Sequence, residues 1–249
     1  MFKKKEKPKP KTWIVRGGEV RNLSKAVLES EHTLIAGTTG CGKSTLMNGI
    51  ISDLLKCKAP SQAKLVLIDP KRLELKRYRN LPHTIAYANT IEDGIDLLNW
   101  AVGEMQRRYE ITDRKNRLEY VGSDIYIIID EIHPIVMSKR RGEAWKALSL
   151  LLTQGRASRI HVIAETQCPN RACLPNTVVP LFTTRVGMRC LSAIESRQVI
   201  GSKGCESLPK VGKAIVQYQG YLQEVGIPMT DYNELNELVG YWQSDKCIA

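Results

Sequence analysis

The stretch Gly37-Thr38-Thr39-Gly40-Cys41-Gly42-Lys43-Ser44 decides how the chain is read. A glycine, four residues and then Gly-Lys-Ser is the spacing of a Walker A loop. Its surroundings fit. Thr33 to Ala36 reads as a short buried strand, and Thr45 to Leu55 as a helix with Leu46, Ile50, Leu54 and Leu55 at helical spacing. Glycines let the backbone turn tightly and aim N–H groups at phosphate oxygens, and a helix N-terminus adds partial positive charge. Residues Gly37, Thr38, Thr39, Gly40, Cys41, Gly42, Lys43, Ser44 and Thr45 are therefore expected to bind a nucleoside triphosphate. Lys43 would reach the β- and γ-phosphates, and the Ser44 hydroxyl would hold Mg²⁺.

Outward from the loop, apolar runs alternate with amphipathic ones. Lys64 to Asp69 reads as a second buried strand, stopped by Pro70, with Lys71 and Arg72 following at its C-terminal end. In open α/β sheets that edge is where ligands sit. Thr90 to Tyr109 is a helix with Ile95, Leu98, Val102, Met105 and Tyr109 on one face. Residues 111–123 read as a polar loop or frayed helix end. Ile125 to Glu131 is a third strand, Gly142 to Gln154 a helix, and Ile160 to Glu165 a fourth strand. Phe182 to Met188 and Lys213 to Tyr218 are later strand candidates; Ser192 to Ile200 and Tyr232 to Trp242 are helices. The alternation predicts one α/β domain of RecA-like type, a mainly parallel sheet covered by helices on both faces. The expected organisation is a basic arm and lead-in over 1–30, the RecA-like nucleotide-binding domain over 31–225 and a helical tail over 226–249. The lead-in, Trp13 to Val20 and Leu23 to Leu28, is expected beside the nucleotide base.

The third strand closes on Asp130-Glu131. An apolar run followed by two acids is the Walker B pattern. Asp130 would bind Mg²⁺, and Glu131 would orient and deprotonate the attacking water. That glutamate favours hydrolysis over simple nucleotide binding. Gln167, just after the fourth strand, has an amide able to bond both a γ-phosphate oxygen and the lytic water. Arg156, between a helix and the fourth strand, could reach a neighbouring subunit's nucleotide, since the guanidinium fork matches phosphate oxygens. From the residues alone the reading as an ordinary exposed arginine leads. His32, His83, His133 and His161 have no metal-like spacing.

Composition sets outer bounds. The chain has 249 residues, 43% hydrophobic, with formal net charge +11. Residues 1–11 contribute +5 of this, from six lysines and one glutamate. A solvated face and contact with nucleic-acid phosphate both account for such an excess. The arm itself reads first as a solubilising tail, with contact to DNA or another anionic surface as the alternative. No apolar run approaches the roughly 18 residues of a membrane span, and the lysine-rich start is not followed by a signal-peptide core. Seven cysteines without a Cys-x-x-Cys pair imply reduced thiols. Cytoplasmic location without membrane insertion is the expectation.

Together these motifs resemble the FtsK/SpoIIIE family of DNA translocases, within the wider FtsK–HerA group of ring motors. The residues that carry the resemblance are Leu34–Ser44, Leu67–Leu75, Leu81-Pro82-His83, Trp100–Tyr109, Ile129–Glu131, Gly155–His161 and Ser196-Arg197 onward. The resemblance implies an ATPase, assembled as a homo-hexameric ring around double-stranded DNA, with ATP between subunits. It makes Lys43, Ser44, Asp130, Glu131 and Gln167 nucleotide-site residues. It also makes Arg156 a trans-acting arginine and Arg197 a second sensor of the neighbour's nucleotide. Basic segments Arg114–Arg117 and Ser138–Arg141 become candidate DNA-contacting pore loops. Where many relatives read Ala-Thr-Gln-Arg-Pro, this chain has Glu165-Thr166-Gln167-Cys168-Pro169, which puts a phosphate contact at Cys168 in doubt.

The expected role is a small stand-alone motor serving a phage, plasmid or conjugative element. A motor for single-stranded DNA transfer, a related motor moving protein, a nucleotide-gated DNA-binding assembly factor and a P-loop kinase are the rivals. The positive charge argues against protein cargo, Glu131 against the non-hydrolysing factor, and the lack of a clear arginine-rich lid against the kinase.

Overall fold

The computed structural model describes residues 23–227 and 229–244. In chain order the elements are α1 (Leu23–Glu29), β1 (His32–Ala36), α2 (Lys43–Cys57), β2 (Ala63–Ile68), β3 (Thr84–Ala88), α3 (Ile91–Arg114), β4 (Asp124–Ile129), α4 (His133–Val136), α5 (Arg141–Gln154), β5 (Ile160–Thr166), β6 (Thr184–Gly187), α6 (Ala193–Ile200), β7 (Lys213–Tyr218), β8 (Tyr221–Gly226) and α7 (Tyr232–Gln243). Short 3₁₀ turns lie among them.

The strands form one sheet in the order β3-β2-β4-β5-β1-β6-β7-β8. Pairing from β3 through β6 is parallel, whereas β7 is antiparallel to both β6 and β8. The mainly parallel sheet expected from the sequence is present, with an antiparallel hairpin at one edge.

Alternation along each strand divides the core into two layers. On one face, Leu65, Leu67, Tyr126, Ile128 and Ile163 pack with α1, α2 and α7. On the other, Val66, Ile68, Ile125, Ile127, Ile129 and Val162 pack with α3, α4 and α5. The central strands are buried on both sides, so they read as continuous apolar runs. Each fully buried leucine or isoleucine contributes about 1.5–3 kcal/mol. α3 opens with a cap, the Thr90 hydroxyl accepting from Asp93 N at 3.1 Å. α7 is tied to α2 by Trp242 Nε1, which donates to Leu55 O at 3.1 Å, and by a Lys56–Glu234 ion pair at 2.9 Å.

Two parts of the sequence reading change. The lead-in segment Leu23–Leu28 does not reach the nucleotide cleft; it forms most of α1, whose Leu23, Ala26 and Val27 are buried against α2's layer. Trp13 to Val20 lies outside the described residues, as does the lysine-rich arm. The third strand ends at Ile129, before the acid pair. Asp130 N still bonds Ile68 O at 3.0 Å, but Ile132 N turns across to Glu165 O at 2.9 Å.

Candidate nucleotide site

Strands β1, β4 and β5 deliver their C-terminal ends to one cleft of about 770 Å³, a size typical of small-molecule sites. The loop Gly37–Gly42 crosses its floor between β1 and α2. Gly37 has no room for a side chain, because a Cβ would stand 2.9 Å from Cys41 Sγ and from Met188 Cβ. Its N–H donates to Thr166 O at 3.2 Å, and Thr38 N to Arg189 O at 2.8 Å. These bonds pin the start of the loop to β5 and to the segment after β6. Gly42, at φ 99°, makes the left-handed step into α2. The first N–H groups of a helix have no partner within it, so α2 presents them, with its dipole, at the cleft.

Thr39, Gly40, Cys41, Gly42, Lys43, Ser44 and Thr45 all line the cleft, whereas Gly37 and Thr38, where the loop leaves β1, are not part of its lining. The Lys43 ammonium donates to the carbonyls of Gly37 (2.8 Å) and Thr38 (2.9 Å), which holds it inside the loop's curve. Burial pushes the Cys41 thiol up, against the pull of Lys43, so this loop cysteine is a packing group rather than a thiolate.

Asp130 and Gln167 face the loop from β4 and β5. Gln167 is the junction of the site. Its Oε1 accepts from Thr39 Oγ1 at 2.7 Å, and its N–H donates to Glu131 at 3.1 and 3.3 Å. Glu131 stands behind Gln167 rather than on the cleft wall, 4% exposed. Its carboxylate also accepts from His133 N at 3.3 Å and pairs with Lys71 at 3.4 Å.

Burial pushes Asp130 up to about 6, helped by the charges of Asp69, Glu74 and Glu131 and opposed by Lys71. Its Oδ2 is buried without a hydrogen-bond partner among the described residues. A buried, unpartnered acid lining the same cleft as Ser44 fits a divalent cation, which takes carboxylate and hydroxyl oxygens. Ser44 and Asp130 are the residues that would hold it.

Several lining residues were not among the expected nucleotide-site residues, although the sequence reading did place Lys71 at the ligand edge of its strand. Lys71 and Glu74 arrive because the Asp69 carboxylate accepts from Leu73 N (3.3 Å) and Leu75 N (3.1 Å), folding the Asp69–Leu75 segment back over the cleft. Glu165 comes from β5. Val211, Gly212, Ile227, Met229 and Tyr232 form the wall on the C-terminal side, anchored to α2 by Thr230 Oγ1 donating to Thr45 O at 2.6 Å. That apolar wall, rather than the lead-in, stands beside the loop as a surface for a base.

Arg156 and Arg197 do not join the cleft. Arg156 lies in the turn before β5, at the opposite edge of the sheet, 73% exposed and 3.0 Å from Glu31. The length of β5, about 20 Å, separates it from Gln167. Arg197 is exposed on α6. The two basic segments lie at opposite edges too. Residues 114–117 follow α3 toward the start of β4, and 138–141 follow α4 beyond its end. In the latter, Arg140 is paired with Asp96 (2.8 Å) and Glu143 (2.6 Å).

The sequence pattern of the FtsK/SpoIIIE family matches residues 8–127. A DNA translocase FtsK from Borreliella burgdorferi is 31% identical over 213 residues, covering 79% of this chain. The chain belongs to the FtsK/SpoIIIE family. It spans 27% of that relative's length. Among solved structures, the pCW3 conjugation coupling protein TcpA, in its monomer form with ATPγS, superposes with a TM-score of 0.74 at 17% identity. It covers 86% of this chain and 66% of that one. The cytoplasmic domain of the Type VII secretion ATPase EccC from Thermomonospora curvata gives 0.72 at 22% identity, over 86% of this chain and 28% of that one. This FtsK/SpoIIIE chain thus has the P-loop ATPase fold. Among its described residues no helix is long and apolar enough to cross a membrane.

Proposed function

We propose that the chain is an ATP-hydrolysing motor domain that moves DNA, double-stranded and without sequence preference. The observation that carries this reading is the hydrogen-bonded path Thr39–Gln167–Glu131, which joins phosphate loop, sensor amide and acid. A protein that only bound nucleotide would not need the acid coupled to the loop.

On this reading Lys43 exchanges its two carbonyl partners for β- and γ-phosphate oxygens. Mg²⁺, held by Ser44 and Asp130, would neutralise charge on the transferring phosphoryl group. Gln167 Oε1 is engaged by Thr39, so its NH₂ is left to donate toward a γ-phosphate oxygen. Glu131 accepts the proton of the lytic water, its carboxylate oriented by the N–H groups of Gln167 and His133. Arg156, exposed at the far edge of the sheet, would on this reading serve a neighbouring subunit in a ring, in the manner of an arginine finger. Net charge +11 suits a phosphate-tracking partner.

The test is ATP hydrolysis with and without linear duplex DNA, at low and moderate salt, beside Glu131→Gln. Stimulation by duplex, weakened by salt and lost in the variant, is expected. Stimulation by single strands alone would reassign the cargo. Nucleotide binding without hydrolysis under every condition would overturn the motor reading.

A further inference from the structure

β4 and β5 end side by side. Their register pairs Ile129 with Ala164, so Asp130 and Glu165 follow as neighbours across the two strands. Side chains alternate along a strand. Ile128 and Ile163 belong to the layer beneath α2, and the acids two residues on turn to that same side. On its other flank Glu165 is level with Ile35 of β1, which puts its side chain under the phosphate loop. Both acids line the cleft together with Lys43 and Ser44.

Glu165 is 2% exposed and Asp130 6%. Among the described residues, Glu165 Oε1 and Asp130 Oδ2 are buried without hydrogen-bond partners. Neither nearby lysine is directed to them. Lys43 Nζ is held by the carbonyls of Gly37 and Thr38, and Lys71 Nζ by Glu131. A buried carboxyl without a partner is costly, and a second one beside it adds like-charge repulsion. A shared proton or a bound cation would relieve both. The position, on the same cleft lining as Ser44, favours the cation, because hard divalent ions take several oxygen ligands at once.

We infer that Glu165 is a second protein carboxylate for the nucleotide's divalent cation, sharing that ion with Asp130 beneath Ser44. The inference rests on the nucleotide reading of the cleft. It makes this a cation seat of two carboxylates and a hydroxyl, one that binds the ion more tightly than Asp130 and Ser44 would alone.

The test uses the full chain with Mn²⁺ as probe. Binding of a slowly hydrolysed ATP analogue is measured first, in EDTA, for wild type, Glu165→Gln and Glu165→Asp. Mn²⁺ affinity is then read from the electron paramagnetic resonance of the free ion with the analogue present. Glu165→Gln should weaken Mn²⁺ binding by at least the roughly tenfold that loss of even an outer-shell partner costs. Glu165→Asp should fall between it and wild type. In EDTA, Glu165→Gln should melt no lower than wild type, since it loses a repulsive charge and keeps the shape. Its gain in Tm on adding Mn²⁺ and analogue should shrink.

Unchanged Mn²⁺ affinity in Glu165→Gln, with normal analogue binding, would overturn the inference and leave Glu165 a protonated structural acid. Failure of wild type to bind the analogue at all would instead overturn the reading of the cleft, and the inference with it.

Discussion

Glu131 takes donors from three directions: the N–H of Gln167 after β5, the N–H of His133 at the start of α4, and Lys71 from the turn after β2. Only the first of these connects to the phosphate loop, and it does so through the Thr39 hydroxyl on Gln167. Thr39→Val should therefore leave nucleotide affinity nearly unchanged and lower kcat by about fivefold, the worth of about 1 kcal/mol for one net hydrogen bond. Gln167→Ala should cost more, and adding Thr39→Val to it should cost nothing further. Steady-state kinetics of the two single variants and the double variant make the cycle; additive losses would show that Thr39 acts independently of Gln167. The loop residues, both acids and Gln167 could be named from sequence because strand, turn and helix signals bracket them. Glu165 could not. A charged residue at a strand end reads as the point where the chain meets solvent, and its burial follows from β1 and β4 flanking it, a fact of topology.

At the scale of elements, legibility followed burial. The central strands announce themselves as apolar runs, but edge strand β3 is mostly half-buried and the hairpin strand β8 largely exposed, and both give a weaker signal. The β7–β8 turn is Gln219-Gly220, at φ 48° and 86°. This is the positive-φ pair of a type I′ turn, usually flagged by Asn-Gly. The β1–β5 pairing also carries a pH dependence. His32 Nδ1 accepts from Val162 N at 3.1 Å, so the ring must stay neutral there. Burial, and then the neighbouring His161, lower its pKa from 6.5 to about 3. The folded chain refuses a proton that the unfolded chain accepts. This stability is fully present above about pH 6.5 and lost as pH falls toward 3, at up to about 1.4 kcal/mol per pH unit. His32→Asn, which keeps an acceptor, should be less stable than wild type at pH 7, and the gap should narrow by pH 5 in urea denaturation. Asp130, raised to about 6, has the opposite slope in both proteins, so the difference isolates His32. A gap constant with pH would show that His32 is protonated in the fold.

For the whole molecule the deciding feature is that the cleft and Arg156 occupy opposite edges of one sheet. Within a chain, about 20 Å of strand separates them, and among the described residues the Arg156 guanidinium pairs with Glu31 at 3.0 Å while remaining 73% exposed. An exposed ion pair of this kind contributes about 0–1 kcal/mol, so Arg156→Ala should fold with nearly wild-type Tm. If copies stack edge to edge in a ring, the same substitution removes a positive charge from the neighbour's γ-phosphate. Arg156→Ala should then bind nucleotide normally yet hydrolyse it at least about 10³-fold more slowly, as loss of an arginine finger does. Glu131→Gln should be inactive for a different reason, lacking the base in its own cleft. Mixing the two inactive proteins creates interfaces where an intact Glu131 faces an intact Arg156 from the other chain. Hydrolysis should reappear in the mixture, on DNA, and in neither protein alone. A mixture as inactive as its components, from chains shown to co-assemble, would mean that Arg156 serves its own fold and that the ring takes its catalytic arginine from elsewhere, with Arg197 the next side chain to test.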